Sequence, residues 1–212
     1  MAEKLSLGVA ARLSTYLRIL RQARKQGRDS ISSQEISDHA NVNPTQVRRD
    51  LSAFGRFGKR GVGYSIDSLI GEIQEILHSE GPYRIAVVGA GKLGGAIATS
   101  SIFQDHGFGI AAVFDNDPHK IGSDLGGLEV LPSERVPDYC RKEEIVIGVI
   151  AVPPEGAQQA ADALVAGEVR IILNYTETLL TVPDWVTVYT VNPAEEMLYA
   201  LYFSMPDELE AE

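Results

Sequence analysis

Apolar positions recur at helical spacing from near the start of the chain. Val9, Leu13, Tyr16, Leu17 and Leu20 share one face, which predicts an amphipathic helix over about residues 8–26. Gly27 supplies a plausible stop. Ser32-Ser33-Gln34-Glu35 has the spacing of a capping box, in which Ser32 and Glu35 satisfy each other's free amides, and the short helix it opens turns Ile36 and Ala40 inward. Asn41-Val42-Asn43 predicts a tight turn. Asn43 followed by Pro44 then predicts a restart, with Asn as cap and Pro at the first helical position. This third helix runs from Pro44 to about Phe54 and buries Val47, Leu51 and Phe54. Four glycines between Gly55 and Tyr64 predict a hairpin. A fourth helix, capped by Asp67, carries Leu69, Ile70, Ile73, Ile76 and Leu77 on one face, and Ser79-Glu80-Gly81-Pro82 ends it.

Beyond that break the pattern changes to buried strands alternating with helices. The strands are Arg84 to Val88, Ile110 to Phe114, Ile145 to Val152, Arg170 to Leu173 and Val186 to Val191; the helices are Gly95 to Phe103 and Glu155 to Ala166. Such alternation predicts an α/β class with a Rossmann-type, doubly wound parallel sheet, whose ligand crevice lies at the strand C-termini. Pro193 opens a last helix bearing Met197, Leu198, Leu201, Tyr202 and Met205. So apolar a helix must pack on its own domain or dock into a second subunit.

Charge sharpens the division. Residues 1–64 hold 12 Lys and Arg against 5 Asp and Glu, a balance of +7, whereas the rest carries −17 of the total −10. A basic unit on an acidic body fits a nucleic-acid-binding module joined to a sensor domain. On the third helix, Thr45, Arg48, Arg49 and Ser52 fall opposite the apolar face, with Gln46 beside them. Arg can donate a bidentate pair to guanine, and Gln can pair with adenine, in the major groove of a double-stranded DNA operator. Short helix, tight turn and second helix make a helix-turn-helix. Lys59 and Arg60 sit near the tip of the glycine-rich hairpin, as a wing would place them. Arg12, on the first helix, completes the DNA-binding set.

The strand ending at Val88 runs straight into Gly89-Ala90-Gly91-Lys92-Leu93-Gly94. In the dinucleotide fingerprint the first glycine makes the tight turn, the second admits a pyrophosphate and the third lets helix and strand pack closely. Lys92 adds a counter-charge. Asp115 lies 21 residues after Gly94, where an acid accepts hydrogen bonds from the adenosine ribose and repels a 2′-phosphate, favouring NAD(H) over NADP(H). Lys120 softens that repulsion. Val152 and Pro153, with Asn174 and Tyr175, occupy later strand ends expected to line the nicotinamide side. Two alternatives stay open here: Asn174 could bond a carboxamide or cap a turn, and Pro153 could line the site or only start a helix.

Other classes fare worse. Cys140 is the only cysteine and the four histidines are scattered, so no metal site is expected. No apolar stretch is long enough for a bilayer and the start does not read as a signal peptide, which predicts a cytoplasmic protein with no membrane partner. The rival is an enzyme: an NAD-dependent dehydrogenase, or a CoA-binding protein, with an accessory basic domain. The chain lacks a Tyr-x-x-x-Lys pair and a histidine at the later strand ends, so binding without catalysis is the expectation.

With these residues in view, the chain resembles the redox-sensing transcriptional repressor Rex family along nearly its whole length. The matching motifs are Gln46-Val47-Arg48-Arg49-Asp50-Leu51-Ser52, Gly58-Lys59-Arg60-Gly61-Val62-Gly63-Tyr64, Phe114-Asp115-Asn116-Asp117-Pro118, Lys120-Ile121-Gly122 and Ile172-Leu173-Asn174-Tyr175. The resemblance implies a homodimer that holds palindromic operators when NADH is scarce and releases them when NADH binds, with the C-terminal helix exchanged between subunits. It also marks departures. Members commonly carry Asp at the position of Asn192, in some paired with an arginine of the first helix, here Arg18, and some carry Tyr at the position of Ser100. The expected organisation is a winged-helix DNA-binding domain over 1–80, an NAD(H)-binding Rossmann domain over 81–192, and a dimerisation helix with an acidic tail over 193–212.

Overall fold

The computed structural model describes residues 5–53, 63–79, 81–104 and 107–204. The segment expected to form a hairpin with Lys59 and Arg60, together with Phe54, Met205 and the acidic tail, lies outside the described residues. The chain forms two compact units, Met1–Gly81 and Pro82–Glu212.

In the first unit, α1 (Leu7–Lys25) ends in a Schellman motif. Gly27 takes φ +76°, Arg28 N donates to the Ala23 carbonyl and Gly27 N to that of Arg24. The capping box opens α2 (Ser33–Ala40), and the Asn43 side chain caps α3 (Pro44–Ser52) by accepting from Gln46 N at 2.8 Å. Two short strands, β1 (Ser30–Ile31) and β2 (Tyr64–Ser65), pair antiparallel. Then comes α4 (Ile66–Ile76), whose cap is Ser65 rather than Asp67. The helix starts two residues earlier than a cap at Asp67 would give, and Ile66, its first residue, is buried in the core; Asp67 falls in the first turn, 3.6 Å from Arg24. Leu13, Tyr16, Leu20, Ile36, Val47, Leu51, Leu69 and Ile73 interlock as one core.

The second unit is a seven-stranded sheet in the order β5-β6-β4-β3-β7-β8-β9. Its strands are β3 (Tyr83–Val88), β4 (Phe108–Asp115), β5 (Asp124–Leu125), β6 (Leu128–Pro132), β7 (Ile147–Ile150), β8 (Ile171–Asn174) and β9 (Thr187–Thr190). All pairs are parallel except β5 with β6. Setting that hairpin strand aside, the order is that of a dinucleotide-binding sheet, which reverses direction between β3 and β7. Apolar layers cover both faces: Phe114, Ile150, Leu164 and Ile172 on one, Val87, Ile97, Val113 and Val149 on the other.

The helices are α5 (Lys92–Thr99), α6 (Ser101–Gln104), α7 (Val136–Lys142), α8 (Ala157–Ala166) and α9 (Pro193–Ser204). The helix expected over Gly95–Phe103 starts earlier, at Lys92, and breaks at Ser100, which is extended (ψ 132°) and accepts from Ile102 N to start α6. Unforeseen elements are the β5–β6 hairpin, turned by Gly126-Gly127, and α7 with the short 3-10 turn (Ser133–Arg135) before it. Met197, Leu198, Tyr199, Leu201 and Tyr202 are exposed on α9. Among the described residues no helix is long and apolar enough to cross a membrane, and no cluster of three His, Cys, Asp or Glu could hold a metal.

Candidate functional site

A crevice of about 630 Å³ opens where the sheet reverses. The loop after β3 forms one wall, and here the glycines divide by role. Gly89 takes φ +108°, and a Cβ there would meet the Ala151 carbonyl oxygen at 2.4 Å. A Cβ on Gly94 would fall 1.7 Å from the Gly89 oxygen. Both are fixed by packing. A Cβ on Gly91, by contrast, would meet nothing within 4 Å. Gly91 therefore leaves open space against the first turn of α5, whose free amides favour an anion.

Asp115 closes the end of β4 and is nearly buried. Its Oδ2 accepts from Ala90 N at 2.7 Å and from Lys120 Nζ at 3.0 Å; its Oδ1 accepts from Asp117 N at 2.9 Å. Burial pushes the carboxyl up, but the Asp117 and Ala90 amides and Lys120 outweigh it, and the group titrates below the ordinary carboxylate range. Oδ1 keeps room for one more donor. Asp115 thus does two things: it pins the glycine loop to the second strand, and it offers one acceptor site to the crevice.

Of the residues expected around a dinucleotide, Gly89, Gly91, Asp115, Lys120, Val152 and Pro153 line this one crevice. Val152 and Pro153 share it with Asp115. Ala90 contributes through its amide, while Lys92, Leu93 and Gly94 belong to α5 itself; Lys92 and Leu93 are exposed. Asn174 resolves to the turn alternative. It is buried, its Oδ1 accepts from Thr176 N and Oγ1, and its Nδ2 donates one hydrogen to the Thr178 carbonyl, so both lone pairs and one of its two donors are used within the turn. Tyr175 packs on the sheet's apolar layer, and burial raises its hydroxyl pKa. Neither lines the crevice.

Sequence reasoning missed the opposite wall. Ser133, Glu134, Val136 and Pro137, from the unforeseen turn and α7, face Gln159, Ala160 and Ala163 of α8. The Gly126-Gly127 dipeptide between Leu125 and Leu128 was the available signal for the hairpin that leads into this wall.

The second candidate site is the outer face of α3. Thr45, Arg48, Arg49 and Ser52 are exposed there. Arg48 bridges Ser33 Oγ and Thr45 Oγ1, each at 3.1 Å, which steadies a long side chain across both helices. Arg12 and Gln46 are placed differently from a free DNA-facing side chain. The Asp50 carboxylate, with only 3% of its side chain exposed, accepts a bidentate pair from Arg12 at 2.7 and 2.8 Å. It also accepts from Tyr16 Oη at 2.9 Å and from Gln46 Nε2 at 2.8 Å. Burial alone would raise the Asp50 pKa, yet Arg12, Gln46 and Tyr16 together hold it low. For Tyr16, burial and then the Asp50 bond raise the pKa.

Comparison with known proteins finds family matches in both units. Residues 4–52 fit the family described as putative DNA-binding protein N-terminus, and residues 80–178 fit the CoA-binding domain family. The chain is 44% identical over 210 residues to the redox-sensing transcriptional repressor Rex of Rubrobacter xylanophilus, covering 99% of this chain and 97% of that one. The crystal structure of RSP with β-NAD⁺ and operator DNA superposes with a TM-score of 0.83 at 34% identity, covering 94% and 92% of the two chains. That of RSP with β-NADH gives 0.82 at 32% identity, covering 95% and 94%.

Proposed function

The chain belongs to the redox-sensing transcriptional repressor Rex family, and from that membership we propose how its two sites work. The protein is a DNA-binding repressor that senses the NADH/NAD⁺ state, holding operator DNA when NADH is scarce and releasing it when NADH binds. One observation carries this reading: a single chain has an exposed cationic face on a helix-turn-helix and a glycine-walled crevice at a parallel-sheet switch point.

The residue assignments are part of the proposal. Arg48, Arg49, Thr45 and Ser52 meet bases and phosphates, Arg12 and Gln46 act from the Asp50 cluster, and Lys59 and Arg60 belong to the wing. In the crevice, the open space at Gly91 fits a pyrophosphate and the spare acceptor on Asp115 Oδ1 fits a ribose hydroxyl. Lys120 holds the Asp115 carboxylate and leaves it a net acceptor. Bound NAD(H) supplies the redox signal; it undergoes no reaction here, because the residues around the crevice serve to bind and orient. The exposed apolar side chains of α9 support a homodimer in which that helix is covered by the second subunit. A palindromic operator and a cytoplasmic setting complete the picture.

NADH can shift the protein only by the difference in its affinity for the DNA-competent and DNA-incompetent arrangements. A coupling of ~1–3 kcal/mol gives a graded response. The test is operator affinity, measured by fluorescence anisotropy on a duplex selected by the protein from random DNA, with and without saturating NADH. Weakening by about tenfold or more is expected; equal affinities would remove the sensor.

A further inference from the structure

Among the described residues of the DNA-binding unit, Asp50 is a buried charge. A carboxylate taken out of water is costly unless its lone pairs are filled. Its four donors come from α1 and α3: the Arg12 fork, the Tyr16 hydroxyl and the Gln46 amide. Gln46 stands one helical turn before Asp50, half-buried at the start of α3 and next to exposed Thr45.

We propose that Asp50 is a positioning residue for base recognition, fixing the Gln46 side-chain amide so that it reads adenine. The proposal rests on the operator-binding reading above. A carboxylate engaged by Arg12 only accepts, so the nitrogen of the Gln46 amide, not its oxygen, must face Asp50 Oδ1. One Nε2 hydrogen is used. The other, together with Oε1, remains as an adjacent donor and acceptor. That pair complements the N7 acceptor and N6 donor of adenine in the major groove. An amide free to turn over would present the reverse pattern equally well. Asp50 removes that ambiguity before DNA arrives, and Arg12, held by the same carboxylate, ties the arrangement to α1.

The experiment uses the full-length protein and the operator it selects from random-sequence duplex, with each base pair of a half-site replaced in turn. For the wild type, one A·T position is expected whose replacement weakens binding about tenfold or more. Gln46→Ala should flatten the preference at that position alone. Asp50→Asn should flatten the same position while the preferences at the others persist. The proposal is overturned if Asp50→Asn leaves every preference intact, if it weakens all positions alike as a purely structural residue would, or if Gln46→Ala changes no position. A second readout needs no variant of Asp50. In the free wild-type protein the Gln46 side-chain amide, assigned by its disappearance in Gln46→Ala, should exchange hydrogen at least several-fold more slowly than an exposed glutamine. Exchange at the exposed rate overturns the proposal even if Asp50→Asn fails to fold. A wild-type protein that selects no sequence at all would overturn the operator reading and this proposal together, which distinguishes that failure from loss of one position.

Discussion

Glycines of one loop can look interchangeable on paper yet fail in different ways. At Gly94 an added Cβ would lie 1.7 Å from the backbone oxygen of Gly89, an atom that β3 and its hydrogen bonds hold in place. Gly94→Ala must therefore push α5 off the sheet. Overpacking typically costs ~1–3 kcal/mol, and a rigid backbone neighbour puts this case at or above the upper end. At Gly91 the same methyl meets nothing in the protein and the backbone is extended at φ −76°, which alanine adopts freely. Gly91→Ala should keep the wild-type melting temperature and lose NADH affinity by about tenfold or more, since the methyl occupies the space kept for the pyrophosphate. Calorimetric melts and titrations of the two variants test this pairing. A Gly91→Ala protein that binds NADH normally would show that the dinucleotide does not approach there. Residue by residue, the loop was legible because spacing alone sets these roles. Asn174 was not, since its partners Thr176 and Thr178 become neighbours only once the turn after β8 forms.

Helix starts show how local chemistry governs whole elements. Glu35 accepts from the Ser32 amide and from Arg28 across the opening of α2; these bonds, the Ser32 amide foremost, lower its pKa from 4.5 to about 2. A depressed carboxyl stabilises the fold fully above its unfolded value and loses that contribution as pH falls from 4.5 toward 2. Glu35→Gln keeps an acceptor for the capping box but not the charge. The side chain is nearly half exposed, so the loss at pH 6 should stay below about 1 kcal/mol. Urea unfolding at pH 6 and pH 3 should show the two proteins converging at the lower pH; a constant difference would place the effect in the cap rather than in the charge. At the other end of the chain, α9 exposes Leu198, Leu201 and Tyr202. A chain cut before Pro193 should sediment as a monomer while the intact chain sediments as a dimer, and a dimer from both would assign the contact elsewhere. These elements follow the sequence closely because caps and apolar stripes are local. The β5–β6 hairpin and α7 escaped because five residues of strand and seven of helix are too short for any period to stand out. For the same reason one wall of the crevice could not be foreseen.

At the scale of the whole molecule the two sites answer to one thermodynamic cycle. Residues 1–64 carry +7 and the remainder −17, so DNA binding releases counterions while the acidic part gains nothing from the duplex. Dinucleotide can therefore act on DNA only by changing which arrangement of the protein predominates. Such coupling is reciprocal: whatever factor NADH takes from operator affinity, operator must take from NADH affinity. NADH titrated into the free protein and into the protein saturated with operator should give dissociation constants differing by the factor seen when operator is titrated with and without NADH. Repeating both titrations at two salt concentrations should change the absolute operator affinities steeply and the ratio far less, because phosphate contacts enter both halves of the comparison. A factor that keeps growing with the concentration of the other ligand, instead of reaching a plateau, would mean that NADH competes for the DNA-binding face itself, and that the crevice at Gly91 and Asp115 is not the origin of release.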